Sequence, residues 1–431
     1  MEALVLAAGK GTRMRSSRPK VLHEIFGLPL LGYVLRRLSE IGVRRPKIVI
    51  GSGAGEVRSF LKWFDRDQGI RTEAIVQRQQ KGTGHAVMTA AEAFGGFQGD
   101  LLIWPGDMPL LRRSTLLQFM REHRASGAQA SVLSALRVDP AGYGRILRAG
   151  GRPYAIREEL DATETERRIQ EVNTGVYLFK AGRLFEALGK IRPANRKNEF
   201  YLTDTIEILS KENAGVEAFP LALADEGQGI NSRRDLAMVT EKMKNREIQY
   251  HEERGVTFVA PHQTFVGPGV AMGQDTVIYP WCYIESGVKI GRGCEIGPFA
   301  KIRKGSTIGD KTVVGSFVEV TRSRLGKKVM AKHLTYLGDA VVGDETNVGA
   351  GTITANFDGR KKNRTHIGKK VLIGSNTVFV APVTLGDRSR TGAGAVVTRG
   401  SRVRKGEVVV GIPARPLKKL NGGRGNHVRT G

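Results

Sequence analysis

The sequence predicts an α/β domain with a largely parallel sheet, followed by a β-solenoid of hexapeptide repeats. Three observations carry this. Every sixth residue of one stretch is Ile or Val: Ile278, Ile284, Ile290, Ile296, Ile302, Ile308, Val314 and Val320. The spacing returns at Ile367, Ile373, Phe379, Leu385, Thr391, Val397, Val403 and Val409, where Thr391 alone is polar. Before these runs, short apolar strands alternate with segments of helical periodicity. A helix repeats near 3.6 and a strand near 2, so a strict period of six belongs to neither. Stacked coils with one inward side chain per short strand produce it.

Residues 1 to about 230 read as the α/β part. Ala3 to Ala8 is a short buried strand, and Gly9-Lys10-Gly11-Thr12-Arg13-Met14 follows as a Gly-rich loop. Pro29 to Ile41 places Leu31, Val34, Leu35 and Leu38 on one side of a helix. Lys47 to Ile50 and Leu101 to Trp104 are further strands, the latter running into Gly106-Asp107-Met108-Pro109. Ligands of such sheets bind at the carboxyl ends of strands, where both the Gly9 loop and Asp107 fall. The loop is neither a Walker A nor a Gly-x-Gly-x-x-Gly. With Lys10, Arg13 and Lys20 nearby, its field suits a triphosphate.

Ser232 to about Arg254 reads as one long helix, with Ser232 as N-cap and Asp235 in the place of the usual capping-box Glu. It is highly charged beyond Met243, which predicts a solvated link. Pro261 marks the entry to the solenoid. The expected boundaries are 1–231 for the first domain, 232–255 for the linker helix, 256–412 for the solenoid, and 413–431 for a basic, disordered tail.

The hexad register breaks twice. From Val320 to Val342 is 22 residues, a slip of four, and from Thr354 to Ile367 is 13, a slip of one. Insertions in solenoids become loops, often on the binding face. The breaks bracket His333-Leu334-Thr335-Tyr336-Leu337-Gly338-Asp339 and Gly349 to Thr352, and Asn356-Phe357-Asp358-Gly359 follows.

Composition sets bounds. At 431 residues the chain exceeds one compact core. No apolar run has the length of a membrane span, and the apolar start is too short for a signal peptide, so the expected location is cytoplasmic. The two cysteines, Cys282 and Cys294, fall on different faces of a three-hexad coil, a poor geometry for a disulfide. The net charge of +26 suits anionic partners, or simply a solvated basic surface.

Leu6 to Met14 with Pro19-Lys20-Val21-Leu22-His23 resembles the signature of sugar-phosphate nucleotidyltransferases. Further matches are Gln80 to Ala86, Gly106 to Leu110, Gly142 to Arg145, Glu171 to Gly175, Asn198 to Asp204, and His333 to Asp339. Together with the hexads they resemble the bifunctional N-acetylglucosamine-1-phosphate uridyltransferase / glucosamine-1-phosphate acetyltransferase family, over about residues 3 to 412. The resemblance implies a Rossmann-like nucleotidyltransferase domain and a left-handed parallel β-helix. It implies acetylation of glucosamine 1-phosphate by acetyl-CoA, then uridylyl transfer from UTP to N-acetylglucosamine 1-phosphate. The product, UDP-N-acetylglucosamine, serves cell-wall peptidoglycan synthesis. A homotrimer with acetyl-transfer sites between chains is implied, and neither a membrane span nor a nucleic-acid partner.

The same resemblance implies residue roles. Leu6, Ala7, Ala8, Gly9, Arg13, Lys20, Gln77, Gly82, Thr83 and Gly106 would meet the uridine nucleotide. Gly144, Glu158 and Asn173 would hold the sugar. Asp107 and Asn231 would bind Mg2+, a cation that takes few protein oxygens beside phosphates and water. In the solenoid His333 would be the general base, since imidazole is poised near neutral pH. Arg303, Tyr336, Asn347 and Lys362 would hold the sugar phosphate. Ala350, Asn356, Phe357, Ser375 and Ala393 would meet acetyl-CoA. A lysine of the family's phosphate pocket is Thr321 here, and the neighbouring Arg322 is expected to supply its charge. Two other readings stand beside this one: a single-activity sugar-phosphate nucleotidyltransferase with a structural solenoid, and a regulatory or nucleic-acid-associated protein of the same architecture.

Overall fold

In the computed structural model, residues 1–416 are described. The chain divides into two compact units, Met1–Thr240 and a second beginning at Glu241. Of the tail expected at 413–431, Arg415–Pro416 pairs antiparallel with Val409–Val410; the residues beyond Pro416 lie outside the described ones.

The first unit is built on a nine-stranded sheet. Across it run Val216–Pro220, Ala130–Leu136, Glu171–Lys180, Asp100–Pro105, Glu2–Ala7, Lys47–Ile50 and Glu73–Val76. Neighbours are parallel except around Glu171–Lys180, which runs antiparallel to both partners. A hairpin of Arg145–Ala149 and Arg152–Arg157 joins that strand. Ala3, Leu4, Val5, Leu101, Leu102 and Ile103 are all fully buried. Such uninterrupted apolar strands need cover on both faces of the sheet. One core packs Leu31, Val34, Leu35 and Leu38 of the helix Leu30–Glu40 on one face, and a second packs Val87, Leu184 and Ile206 on the other.

The helix Arg233–Glu252 begins as its sequence predicts. The Asp235 N–H donates to Ser232 Oγ at 3.1 Å, and Ser232 N–H donates back to Asp235 Oδ2 at 2.8 Å. Its charged second half is not simply solvated. Lys244, Ile248 and His251 are buried, and Ile248 packs on Val256, Phe258 and Val266 of the first coil. The Lys244 ammonium donates to the His262 carbonyl at 3.0 Å and lies over the Phe265 ring. A long aliphatic stem with a satisfied head can close the end of a solenoid this way.

The second unit is the left-handed parallel β-helix expected from the hexads. Its strands pair parallel with the strand one coil, or 18 residues, on: Ile278 with Ile296, Ile284 with Ile302, Ile290 with Ile308. Among the described residues, three sheets of ten, eight and eight strands form its faces. The inward hexad positions from Ile278 to Val320 are each 4% exposed or less. A second inner column holds small residues, among them Thr276, Cys282, Cys294, Thr312 and Thr346. The Thr276, Thr312 and Thr346 hydroxyls donate to the carbonyls of Gly291, Gly326 and Gly368. Both thiols are free and buried, and burial pushes Cys282 up to about 11.

The first register break has a different origin from the insertion expected. The inward positions between Val320 and Val342 are Leu325, Ala331 and Leu337. The steps are therefore five, six, six and five residues, so two corners are each one residue short. Both shortened corners turn through a left-handed residue, Arg322 at φ 48° and Asp339 at φ 50°. The second break is a true insertion, a loop running from Asn356 to Arg364.

Candidate active sites

A cleft of about 590 Å³ opens in the first unit at the carboxyl end of the strand Glu2–Ala7. It gathers Leu6, Ala7, Ala8, Gly9, Arg13, Lys20, Gln77, Gly82, Thr83, Asp107 and Asn231, which are spread over more than 200 positions of sequence. Gly11 is what lets the loop lie on Lys20. Its φ is 62°, and a Cβ there would sit 2.7 Å from Lys20 Cβ. The Lys20 ammonium then pairs with the Asp107 carboxylate and donates to Asn231 Oδ1 at 3.1 Å. One carboxylate and one amide oxygen thus converge on a single cation, a donor set of hard oxygens that fits magnesium. Among the described residues no three His, Cys, Asp or Glu side chains cluster as metal ligands.

Gln77 is held by two partners. Its Nε2 donates to the Gly82 carbonyl at 3.3 Å and lies 2.9 Å from His85 Nδ1. Burial, then the Lys81 charge, lowers the His85 pKa, which keeps the ring neutral and Nδ1 free to accept. Thr83 accepts from the Leu202 N–H at 3.1 Å and so ties its helix to the segment after Asn198. Gly106 does not line the cleft; its N–H donates to the Leu6 carbonyl at 2.9 Å and fixes the neighbouring Asp107 from behind.

Gly144, Glu158 and Asn173 lie outside that lining but together. The Asn173 N–H donates to the Gly144 carbonyl at 2.8 Å, and Glu158 Oε1 would be 3.5 Å from a Cβ at Gly144. Asn173 is oriented at both ends, by Tyr177 OH at 2.7 Å and the Gly175 N–H at 2.8 Å. Burial raises the Glu158 pKa; Thr203 OH, donating at 3.3 Å, and Lys197 work against it. Lys197 and Glu199 line the cleft although no reading of the sequence assigned them there. The signal lay in their place within or beside the Asn198 to Asp204 motif.

In the solenoid the residues fall on two edges. At the corner after the first face, His333 stands in one column with Ser316 below and Ala350, Ser375 and Ala393 above. The next position of each coil turns left-handed: Phe317, Leu334, Gly351, Asn376 and Gly394. The column thus narrows to small side chains just above an exposed His333. Asn347 lies on the first face, paired with Met330, apart from the other sugar-phosphate candidates.

The opposite edge of the second face holds the rest. Arg303 meets Glu319 at 3.2 Å and Glu285 at 3.5 Å, and Glu319 pairs across the sheet with Tyr336. Thr321 is buried, and Arg322 turns outward to grip Asp339 with two bonds of 2.8 and 2.7 Å. Asn356 donates to the same carboxylate. Arg322 first, and Asn356 after it, hold Asp339 below the usual carboxylate range against the opposing effect of burial. The inserted loop folds back so that Phe357 bridges to Lys362, whose ammonium lies 4.7 Å from the Phe357 ring centre. Both shortened corners, at Arg322 and Asp339, lie on this edge, and the inserted loop starts there one coil on, at Asn356. Asp339, which no sequence argument singled out, is the anion that organises it.

Comparison with known proteins agrees in both units. The MobA-like NTP transferase domain family matches residues 3–180. The bacterial transferase hexapeptide family matches 269–304, 287–322 and 364–399. The bifunctional protein GlmU of Pelotomaculum thermopropionicum is 40% identical over 89% of this chain and 90% of its own length. That of Heliobacterium modesticaldum is 41% identical over 92% of this chain and 93% of its own. That of Geobacillus thermodenitrificans is 39% identical over 92% of each. A transferase with a nucleotidyltransferase unit and a hexapeptide-repeat unit, matched nearly end to end, belongs to the bifunctional GlmU family of uridyltransferase–acetyltransferases.

Proposed function

We propose that the chain acetylates glucosamine 1-phosphate in its solenoid and converts the product to UDP-N-acetylglucosamine in its first unit. The observation that carries this is the convergence of Asp107, Asn231 and Lys20 in one cleft, on a chain whose His333 stands in a column of small residues. In the cleft the Gly9 loop and Gln77 take the nucleotide, and Gly144, Glu158 and Asn173, grouped outside its lining, take the sugar. The sugar-phosphate oxygen attacks the α-phosphorus of UTP, and pyrophosphate leaves. Arg13 and Lys20 stabilise the charge on the phosphoryl oxygens. Asp107 and Asn231 would hold magnesium, which supplies further neutralisation of that charge when bound.

In the solenoid His333 accepts a proton from the substrate amine as nitrogen attacks the thioester carbonyl, and the CoA thiolate leaves. Ala350, Ser375 and Ala393 leave room for the CoA arm above it, and Asn356 and Phe357 contribute from the start of the inserted loop. Arg303, Tyr336 and Lys362 hold the phosphate. His333 lies at the corner between the first and second faces, Asn347 on the first face, and Arg303 and Lys362 toward the far edge of the second, as suits sites completed between copies of a homotrimer. Among the described residues no helix is long and apolar enough to cross a membrane, and we place the enzyme in the cytoplasm, where both substrates are made. Two variants test the assignment. Asp107→Asn should lose uridylyl transfer and keep acetyl transfer, and His333→Ala should do the reverse. Loss of both activities in either folded variant would sink the two-site reading.

A further inference from the structure

The cleft of the first unit has a second charged wall. Lys197 and Glu199 reach it from the segment that precedes the helix Asp204–Lys211. Their backbone is pinned: Asn195 Oδ1 accepts from the N–H groups of Lys197 and Glu199, both at 3.2 Å, and Asn195 Nδ2 donates to the Glu199 carbonyl at 2.6 Å. The Arg196 N–H donates to Asp161 Oδ1 at 3.0 Å. Phe200 exchanges bonds of 2.8 Å with Lys81 and Gly84 at the entrance of the helix Thr83–Thr89. The loop is therefore anchored on the sugar side and the nucleotide side at once.

The Lys197 side chain is exposed and, among the described residues, has no ion-pair or hydrogen-bond partner. We propose that Lys197 binds the phosphate of the sugar 1-phosphate and selects for that phosphate in uridylyl transfer; this rests on reading the cleft as the uridyltransferase site. Lys20 is already committed to Asp107 and Asn231. Lys10 and Arg13 come from the loop after the first strand, the side expected to take the nucleotide. Lys197 is the cation whose charge reaches Glu158, a proposed sugar contact, where Asp161 and Glu199 push the other way. Without Lys197 this wall would present Glu199 alone to a dianionic substrate. A flexible ammonium on a fixed backbone can follow the phosphate as it moves to attack.

The test is steady-state kinetics of uridylyl transfer on the full chain with Lys197→Ala and Lys197→Arg. Lys197→Ala should raise the KM for N-acetylglucosamine 1-phosphate about tenfold, the effect of one charge-assisted hydrogen bond. The KM for UTP should stay within about twofold, and Lys197→Arg should restore most of the sugar-phosphate affinity. An unchanged sugar-phosphate KM, a rise in the UTP KM instead, or failure of Arg to rescue would each overturn the role of Lys197. A wild-type protein that forms no UDP-sugar would overturn the reading of the cleft as well.

Discussion

Gly338→Ala puts one methyl group into the edge of the solenoid that carries Arg322 and Asp339. The Cβ would lie 2.6 Å from Tyr336 OH, 2.6 Å from Asn356 Nδ2 and 2.7 Å from Tyr336 Cε1. Each is closer than van der Waals contact by close to 1 Å, so the Tyr336 ring and the Asn356 amide must both move. The backbone accepts the change, because Gly338 does not occupy the left-handed region. The overpacking should cost about 1–3 kcal/mol of stability. The larger effect is on catalysis. Tyr336 is a proposed sugar-phosphate contact and Asn356 a proposed acetyl-CoA contact, and Asn356 also steadies Asp339. A misplacement of about 1 Å can reduce turnover about a hundredfold, or about 2.7 kcal/mol in the barrier. The assay is kcat/KM for acetyl transfer and for uridylyl transfer on the same preparation, with a thermal melt. Acetyl transfer should fall about a hundredfold and uridylyl transfer stay within about twofold. Unchanged acetyl transfer would refute the place given to Tyr336 and Asn356.

Arg322→Ala should raise the KM for glucosamine 1-phosphate about tenfold and spare that for acetyl-CoA, since it removes a charge and leaves the Asp339 carboxylate facing the phosphate; separate substrate titrations decide. A fragment ending at Met243 should fold on the two cores of the first unit, retain uridylyl transfer and run as a monomer on a sizing column. Asp204 offers a test by pH. Burial, then repulsion from Glu207 and Glu158, pushes its carboxyl from 3.8 to about 6. Below 3.8 the folded and unfolded chains both hold this proton; between 3.8 and about 6 the folded chain keeps a proton the unfolded chain has lost, so stability falls as pH rises. Asp204→Asn should therefore stabilise the protein at pH 8 relative to pH 4, by about 1–2 kcal/mol once solvent screening of a partly exposed group is allowed for. Urea melts at the two pH values measure it.

The period of six was enough to place every coil from Ile278 to Val320, because a parallel solenoid repeats one inward contact without interruption. The first register break was not readable in the same way. Counting modulo six cannot distinguish four residues gained from two lost, and the strand pairing that sets Leu325, Ala331 and Leu337 inward settles it. The second half of the helix Arg233–Glu252 misled for a related reason. Its charged residues read as solvated, yet Lys244 is buried because its stem covers apolar surface while its head finds the His262 carbonyl. Around the cleft, motif resemblance named the Gly9 loop, Lys20, Asp107 and Asn231, and the fold brings them together. Lys197 escaped because an exposed lysine in a loop looks like any other until the neighbouring strands are placed. Asp339 escaped because its partners, Arg322 and Asn356, meet it only when successive coils stack.

The central claim is two reactions in sequence on one chain. The measurement that tests it most directly supplies purified protein with glucosamine 1-phosphate, acetyl-CoA, UTP and magnesium, and follows the products by chromatography. The account predicts UDP-N-acetylglucosamine, together with one CoA thiol and one pyrophosphate per molecule formed, and no such product when acetyl-CoA is left out. Pyrophosphate release from added N-acetylglucosamine 1-phosphate with no thiol release from acetyl-CoA would contradict it, and would leave the solenoid a structural element alone.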